Sequence, residues 1–225
     1  MANTGVLKKG LILFAILVLP SIGYVLLTRG KNNFRHLLFY GPKELASNGK
    51  DTLYHTLPEF SFTNQEGKTI SSETDLKNKI IVADFFFVTC PSICPKMTAG
   101  LFKVQKKFES LRELRILSFS VNPDHDSVSV LANYGKTHMV NPRKWFLLTG
   151  NKKQIYDLAR KGFLLPVQEG NGDSNDFIHS EQVVLLDKER HIRGFYDGTD
   201  PNEIDRLNDE IIVLQLEYKE KQAKQ

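Results

Sequence analysis

The 225-residue chain, 41% hydrophobic and 25% charged, fits one globular domain with extra material at its ends and is not disordered overall. Its formal charge of +4 comes from lysines scattered among almost as many acids, with no basic stripe interleaved with aromatics, which argues against nucleic-acid binding. The two cysteines cannot build a disulfide framework, but they can form one reversible disulfide or offer two ligands to a single metal.

Residues 1–9 are short and polar, ending in Lys8 and Lys9, and an uncharged run follows from Gly10 to Leu27. Eighteen helical residues reach roughly 27 Å, close to the thickness of a bilayer's hydrocarbon core. Residues 10–28 are therefore expected to be a transmembrane anchor. A cleaved signal peptide fits less well, because the apolar run is long and no small-x-small cleavage site follows it. Arg29, Lys31 and Arg35 offset the positive-inside argument from Lys8 and Lys9. A thiol pair makes most sense outside the cytoplasm, which favours an outward-facing domain. The run begins without an Arg- and Ser-rich transit segment, so the expected setting is a bacterial inner membrane with the C-terminal domain in the periplasm.

Residues 29–56 carry little periodicity and are expected to form a stalk leading to a domain at 57–218. Leu57 to Ser71, with alternating Phe60 and Phe62 and a turn at Gly67, is a hairpin pattern. Ile80 to Val88 is an apolar run broken only by Asp84, the pattern of a strand buried on both faces. It runs into Cys90 and Cys94. Pro95 suits the first position of a helix reaching about Phe108, which puts Cys94 at the N-cap. Both sulfurs then lie at the positive end of a helix dipole, where thiolate is favoured over thiol. An inert buried pair has no need of a strand-to-helix turn framed by Pro91 and Pro95, so a redox disulfide or a metal site is the better reading.

Leu114 to Val121 predicts a second strand, and Asp126 is placed to cap a helix over Val128 to His138. Trp145 to Leu148 predicts a third strand and Lys152 to Arg160 a third helix. A loop rich in Gly, Asn and Asp, Gln168 to Asp176, leads to His179. The strand-like Gln182 to Leu186 is followed by its partner, His191 to Tyr196. Asp200-Pro201 opens a last helix with Ile204, Leu207, Ile211, Leu214 and Tyr218 on its apolar face, and residues 219–225 are expected to be a solvated tail. Alternating strands and helices indicate an α/β domain with a mostly parallel sheet, and the cysteine loop lies at the carboxyl end of a central strand.

A thioredoxin-type dithiol would place two residues between its cysteines and a cis proline before the facing strand. Three residues separate Cys90 and Cys94, and His179-Ser180-Glu181 stands before Gln182. A peroxiredoxin-type cysteine is preceded at seven and three residues by proline and threonine; Cys90 has Ala83 and Phe87 there, and Cys94 has Phe87 and Pro91. His179, before a core strand, stands above His36, His55, His125, His138 and His191, which read as surface or satisfied core residues. Two thiolates and one imidazole suit Cu(I), can take Cu(II), and suit structural zinc less well. Met97 could add a weak ligand, but three residues into the helix it fits packing better.

At these residues the chain resembles the SCO/SenC family of membrane-anchored copper chaperones, over roughly Leu57 to Tyr218. FFFVTCPSICP matches that family's strand and C-P-x-x-C-P; VNPDHDS resembles its V-D-P-x-x-D-T; His179 and VVLLD resemble its histidine loop and following strand. The resemblance implies a thioredoxin-like fold, a central mixed sheet flanked by helices, with Cys90, Cys94 and His179 as copper ligands. It also implies the task of delivering copper to, or reducing, the dinuclear copper site of cytochrome c oxidase subunit two, or serving another copper-accepting oxidase. Asn122 and Val128 depart from the pattern, where Asp and Pro are usual. The alternative is a tethered thiol–disulfide reductase that uses Cys90 and Cys94 without metal.

Overall fold

The computed structural model describes residues 9, 14, 16–22, 36–46, 49, 51–165 and 180–224. The chain divides into two compact units, Met1–Arg35 and His36–Gln225. In the first, residues 16–22 are helical. Among the described residues no helix is long and apolar enough to cross a membrane; much of the expected anchor, including residues 10–13 and 23–28, lies outside them. So do residues 166–179, with the expected Gly- and Asn-rich loop and His179.

The second unit is built on a seven-stranded sheet of β3 (Ser61–Asn64), β4 (Thr69–Ser71), β5 (Ile80–Phe86), β6 (Leu114–Ser120), β7 (Trp145–Thr149), β8 (Gln182–Leu186) and β9 (Ile192–Asp197), in the order β4-β3-β7-β6-β5-β8-β9. Only β5–β6 and β6–β7 are parallel pairs; β3–β4, β3–β7, β5–β8 and β8–β9 are antiparallel. The expectation of a mostly parallel sheet is thus corrected to a mixed one. The two parallel pairs need crossovers, which α1 (Ile93–Lys107) and α2 (Val128–Thr137) supply, while hairpins at both ends close the sheet antiparallel.

Every residue of β5 is buried, as its unbroken apolar run requires of a central strand. Successive side chains point to opposite faces. Phe86 meets Tyr134 of α2, whereas Phe85 stacks on Phe119 and takes Phe163 edge-on. Phe163 follows α3 (Lys152–Asp157), which continues as one π-helical turn over Leu158–Gly162. That turn, rather than a regular helix to Arg160, aims Phe163 into the core. Lys144 is buried just before β7 and donates from Nζ to the carbonyls of Phe108 (2.7 Å) and Leu111 (2.6 Å), tying the chain beyond α1 to the sheet.

Within the stretch expected as a stalk, the described residues 36–46, 49 and 51–56 have structure of their own. They form the hairpin β1 (Lys43–Leu45) and β2 (Thr52–Tyr54), and Tyr40 and Thr56 bridge to Ile192 and His191 at the start of β9. The polypeptide is held there by Arg193, whose buried guanidinium donates to the carbonyls of Leu37 and Leu38 and pairs with Asp187 and Glu217. The last helix, α4 (Pro201–Ala223), is capped by Asp200, which accepts from Asn202 N, and extends five residues into the expected tail because its Glu217 and Tyr218 are anchored by Arg193 and Lys188.

Candidate metal centre

At the carboxyl end of β5 the chain turns sharply, with Cys90 N donating to Phe87 O at 3.2 Å, and enters α1. Cys90 and Cys94 are both free and both buried, at 7% and 3% exposure. The helix begins earlier than expected: Ser92 is the N-cap, Cys94 lies within the first turn, and Pro95 is its third residue. Proline fits there because the first N–H groups of a helix have no partner within it.

Ser92 makes no side-chain capping bond. The Cys90 sulfur stands at this end of the helix, its charge favoured by bonding from the Cys94 thiol and from the backbone N–H groups of Cys94, Ser92 and Ile93. Burial works against a charged Cys90, yet these bonds outweigh it and hold the Cys90 thiol below its ordinary value. Cys94 goes the other way. Burial pushes its thiol up, and so do its bond to Cys90 and the charges of Cys90 and Asp84, against a backbone bond at Phe87. The expectation that the helix end favours both thiolates is therefore corrected: one thiolate is stabilised, and the second must be drawn out by whatever the pair binds or attacks.

Asp84, the one polar residue in the β5 run, is fully enclosed beneath this turn. Burial raises its carboxyl to about 7 despite the hydroxyl of Ser118, which donates to Oδ1 and itself accepts from Trp145 Nε1 at 2.8 Å. Tyr134 donates or accepts at 2.7 Å with Thr98, one turn beyond Cys94. Burial, then the charges of Asp84, Cys94 and Cys90, push its phenol up to about 12, so it stays neutral beside the thiols.

Asp126 does not cap α2. Ser127 is the N-cap, and the wholly buried Asp126 accepts from Val88 N at 3.1 Å, Ser120 Oγ at 2.6 Å and His125 Nδ1 at 2.9 Å. It fastens the chain leaving β5, two residues before Cys90, to the end of β6. Met97 is fully buried and packs rather than faces the thiols; a Cβ on Gly198 would meet its Cγ at 3.0 Å and Val183 at 2.8 Å. Gly198 thus lets the end of β9 approach α1 and the start of β8, where its N–H donates to Glu181 O.

The other histidines are engaged elsewhere or open to solvent. His55 bonds the Gly162 carbonyl at 2.7 Å, His191 bonds Asp187, His138 stacks on Tyr134, and His36 is exposed. Among the described residues Asp187, Glu189 and His191 are close enough to share an ion. Asp187, however, is already neutralised by Arg193 and Glu189 is bonded by Tyr218. The paired sulfurs of Cys90 and Cys94 are the soft donor set, and they fit a thiophilic ion such as Cu(I).

Sequence and structure comparisons relate the chain to known proteins. The chain is 32% identical over 160 residues to the SCO1 protein homolog of Bacillus subtilis, covering 70% of this chain and 82% of that protein. The solved structure of BsSco, described as a member of the Sco family of cytochrome c oxidase assembly proteins with a disulfide switch, superposes with a TM-score of 0.62 at 31% identity, covering 73% of this chain and 96% of the other. That of Arabidopsis thaliana ScoI with copper bound gives 0.56 at 25% identity, over 69% and 94% of the two chains. The central mixed sheet flanked by helices matches these thioredoxin-like structures. The SCO1/SenC family model matches residues 48–211, spanning the hairpin strand β2, the sheet, both cysteines and the first half of α4, and the chain belongs to that family.

Proposed function

We propose that this protein is a copper chaperone that carries one copper ion on Cys90, Cys94 and His179 and serves assembly of the dinuclear copper site of cytochrome c oxidase subunit two or another copper-accepting oxidase. The observation that carries the reading is the pair of free, buried thiols of Cys90 and Cys94 at the start of α1. Copper-bound Arabidopsis ScoI and the oxidase-assembly family of BsSco support it. For His179 the support is indirect. Val184 lies opposite Ala83, so the residues preceding β8 run toward the end of β5 that carries the cysteines, and His179 precedes Ser180 in sequence. Copper here is cargo; the protein's part is to give up the Cys94 proton, supply two buried thiolates, and release the ion to a competing acceptor. Residues 10–28 would tether the domain to a bacterial inner membrane, facing the periplasm.

The opposite displacement of the two thiols favours a second reading, a metal-free reductase. The Cys90 thiolate would attack a client disulfide, forming a mixed disulfide and releasing one client thiolate. Cys94, giving up its proton, would then attack Cys90 sulfur, release the second client thiolate and leave the protein disulfide. Two titrations separate the readings. Chaperone function requires about one copper per reduced chain and none in the Cys90–Cys94 disulfide form, since a disulfide sulfur is no longer a thiolate ligand. His179→Ala should abolish Cu(II) binding, seen as loss of thiolate charge-transfer absorption, while disulfide exchange survives. Equal copper content in both redox states would end the chaperone reading, and unchanged Cu(II) binding by the variant would remove His179 from the site.

A further inference from the structure

The exposed apolar residues of the second unit are unevenly placed. Among the described residues after 35, the exposed large hydrophobic side chains include Leu38 (71%), Tyr40 (38%), Leu45 (76%) and Leu53 (55%), all within or beside the β1–β2 hairpin. Two more, Ile212 and Leu216, lie one turn apart on α4, next to Glu217, whose carboxylate accepts from Leu37 N. Met139 follows α2, which begins near the cysteine loop and runs away from it. None sits at the thiol turn.

These residues share one end of the fold. Ile81 is opposite Leu186, and Tyr40 and Thr56 bridge to the residues that open β9, so the hairpin docks where β5 begins. The cysteines lie where β5 ends, seven residues or about 20 Å further along the strand. The hairpin is held to the fold by stacking of Tyr54 on Phe39 (4.0 Å), with Phe39 under the Arg193 guanidinium. Strand alternation then sets Leu53 beside Glu44 on one face of the ribbon and Leu45 beside Thr52 on the other. Leucines on both faces of a two-stranded ribbon cannot both be covered by packing it flat against one surface of the fold. They are covered when the ribbon enters an apolar layer.

We propose that the β1–β2 hairpin, with Leu38, is a foot that seats in the membrane interface, so that the dithiol site is presented on the side of the domain turned away from the bilayer. This rests on the anchor reading. The apolar run ends at Leu27 and the chain is clamped to the fold at Leu37, so the nine intervening residues can hold that clamp no more than about 35 Å from the bilayer. Lys43, Tyr40 and Tyr54 around the leucines are the residue types that settle at the headgroup level, and the lysine favours anionic lipid.

The test uses the full chain in vesicles of phosphatidylcholine and phosphatidylglycerol, plain or brominated in the acyl chains. The single native tryptophan, Trp145, is buried, so Leu45→Trp, Leu53→Trp and, near the cysteines, Lys96→Trp each add one exposed reporter. Emission from Leu45→Trp and Leu53→Trp should shift to the blue and be lost in brominated vesicles, while Lys96→Trp behaves as it does in water. Flotation of the chain with the vesicles reports the anchor separately. A chain that floats but shows no quenching at either hairpin position overturns the foot and leaves the anchor standing; a chain that does not float overturns both. A blue shift that appears without lipid and grows with protein concentration would assign the hairpin to contact between two copies and also overturn the proposal.

Discussion

Asp84 couples the stability of the domain to pH. Its carboxyl is fully buried and rises from 3.8 to about 7 in the folded state, chiefly through burial. Below about pH 4 neither folded nor unfolded chain carries this charge. Between pH 4 and 7 the unfolded chain releases the proton and the folded one retains it, so stability falls by about 1.4 kcal/mol per pH unit; above 7 the loss is complete, at about 4 kcal/mol. Asp84→Asn keeps an oxygen to accept from Ser118 and removes the titration. Its midpoint for urea unfolding, measured on the reduced unit 36–225, should gain on wild type as pH rises from 4.5 to 8, by an amount on the order of 2–4 kcal/mol once local relaxation is allowed. The pH dependence of every other group cancels in the difference. A difference that stays constant across that range would show that the Asp84 carboxyl ionises as freely in the fold as in the unfolded chain.

The thiol pair should react unequally: iodoacetamide near neutral pH should modify Cys90 well before Cys94, read by peptide mass mapping, and equal rates would contradict the hydrogen-bond pattern at the helix start. Asp126→Ala should cost about 2–4 kcal/mol in chemical denaturation and should speed amide exchange at Val88, because it strips the partners of Val88 N and Ser120 Oγ together. Arg193→Met leaves Asp187 and Glu217 as buried charges without a counter-ion and should cost about 3–5 kcal/mol, with early loss of amide protection in Leu37 seen by hydrogen exchange; a change under about 1 kcal/mol would show that the cluster is not holding the segment.

The strand-to-helix turn at Cys90 and Cys94, the succession of strands and helices along the chain and the opening of α4 at Asp200-Pro201 were legible in the sequence, because each depends on local patterning: apolar runs of strand length and prolines that exclude most backbone conformations. The partial parallel character of the sheet was legible only where helices intervene. Tertiary contacts decided the rest. Asp126 has the sequence context of a cap, and what turns it inward is the empty donor at Val88 N, 38 residues away, together with the hydroxyl of Ser120. The segment before Leu57 looks like linker because it is tied down through Phe39, which lies under the Arg193 guanidinium and edge-on to His191, rather than through a periodicity of its own. The sequence alone placed two cysteines at a helix start. Only the packed structure made them unequal, because the N–H groups of Ser92, Ile93 and Cys94 converge on one sulfur while the other is sunk beside the buried carboxyl of Asp84, and that difference in solvation and hydrogen bonding has no counterpart in the spacing of residues along the chain.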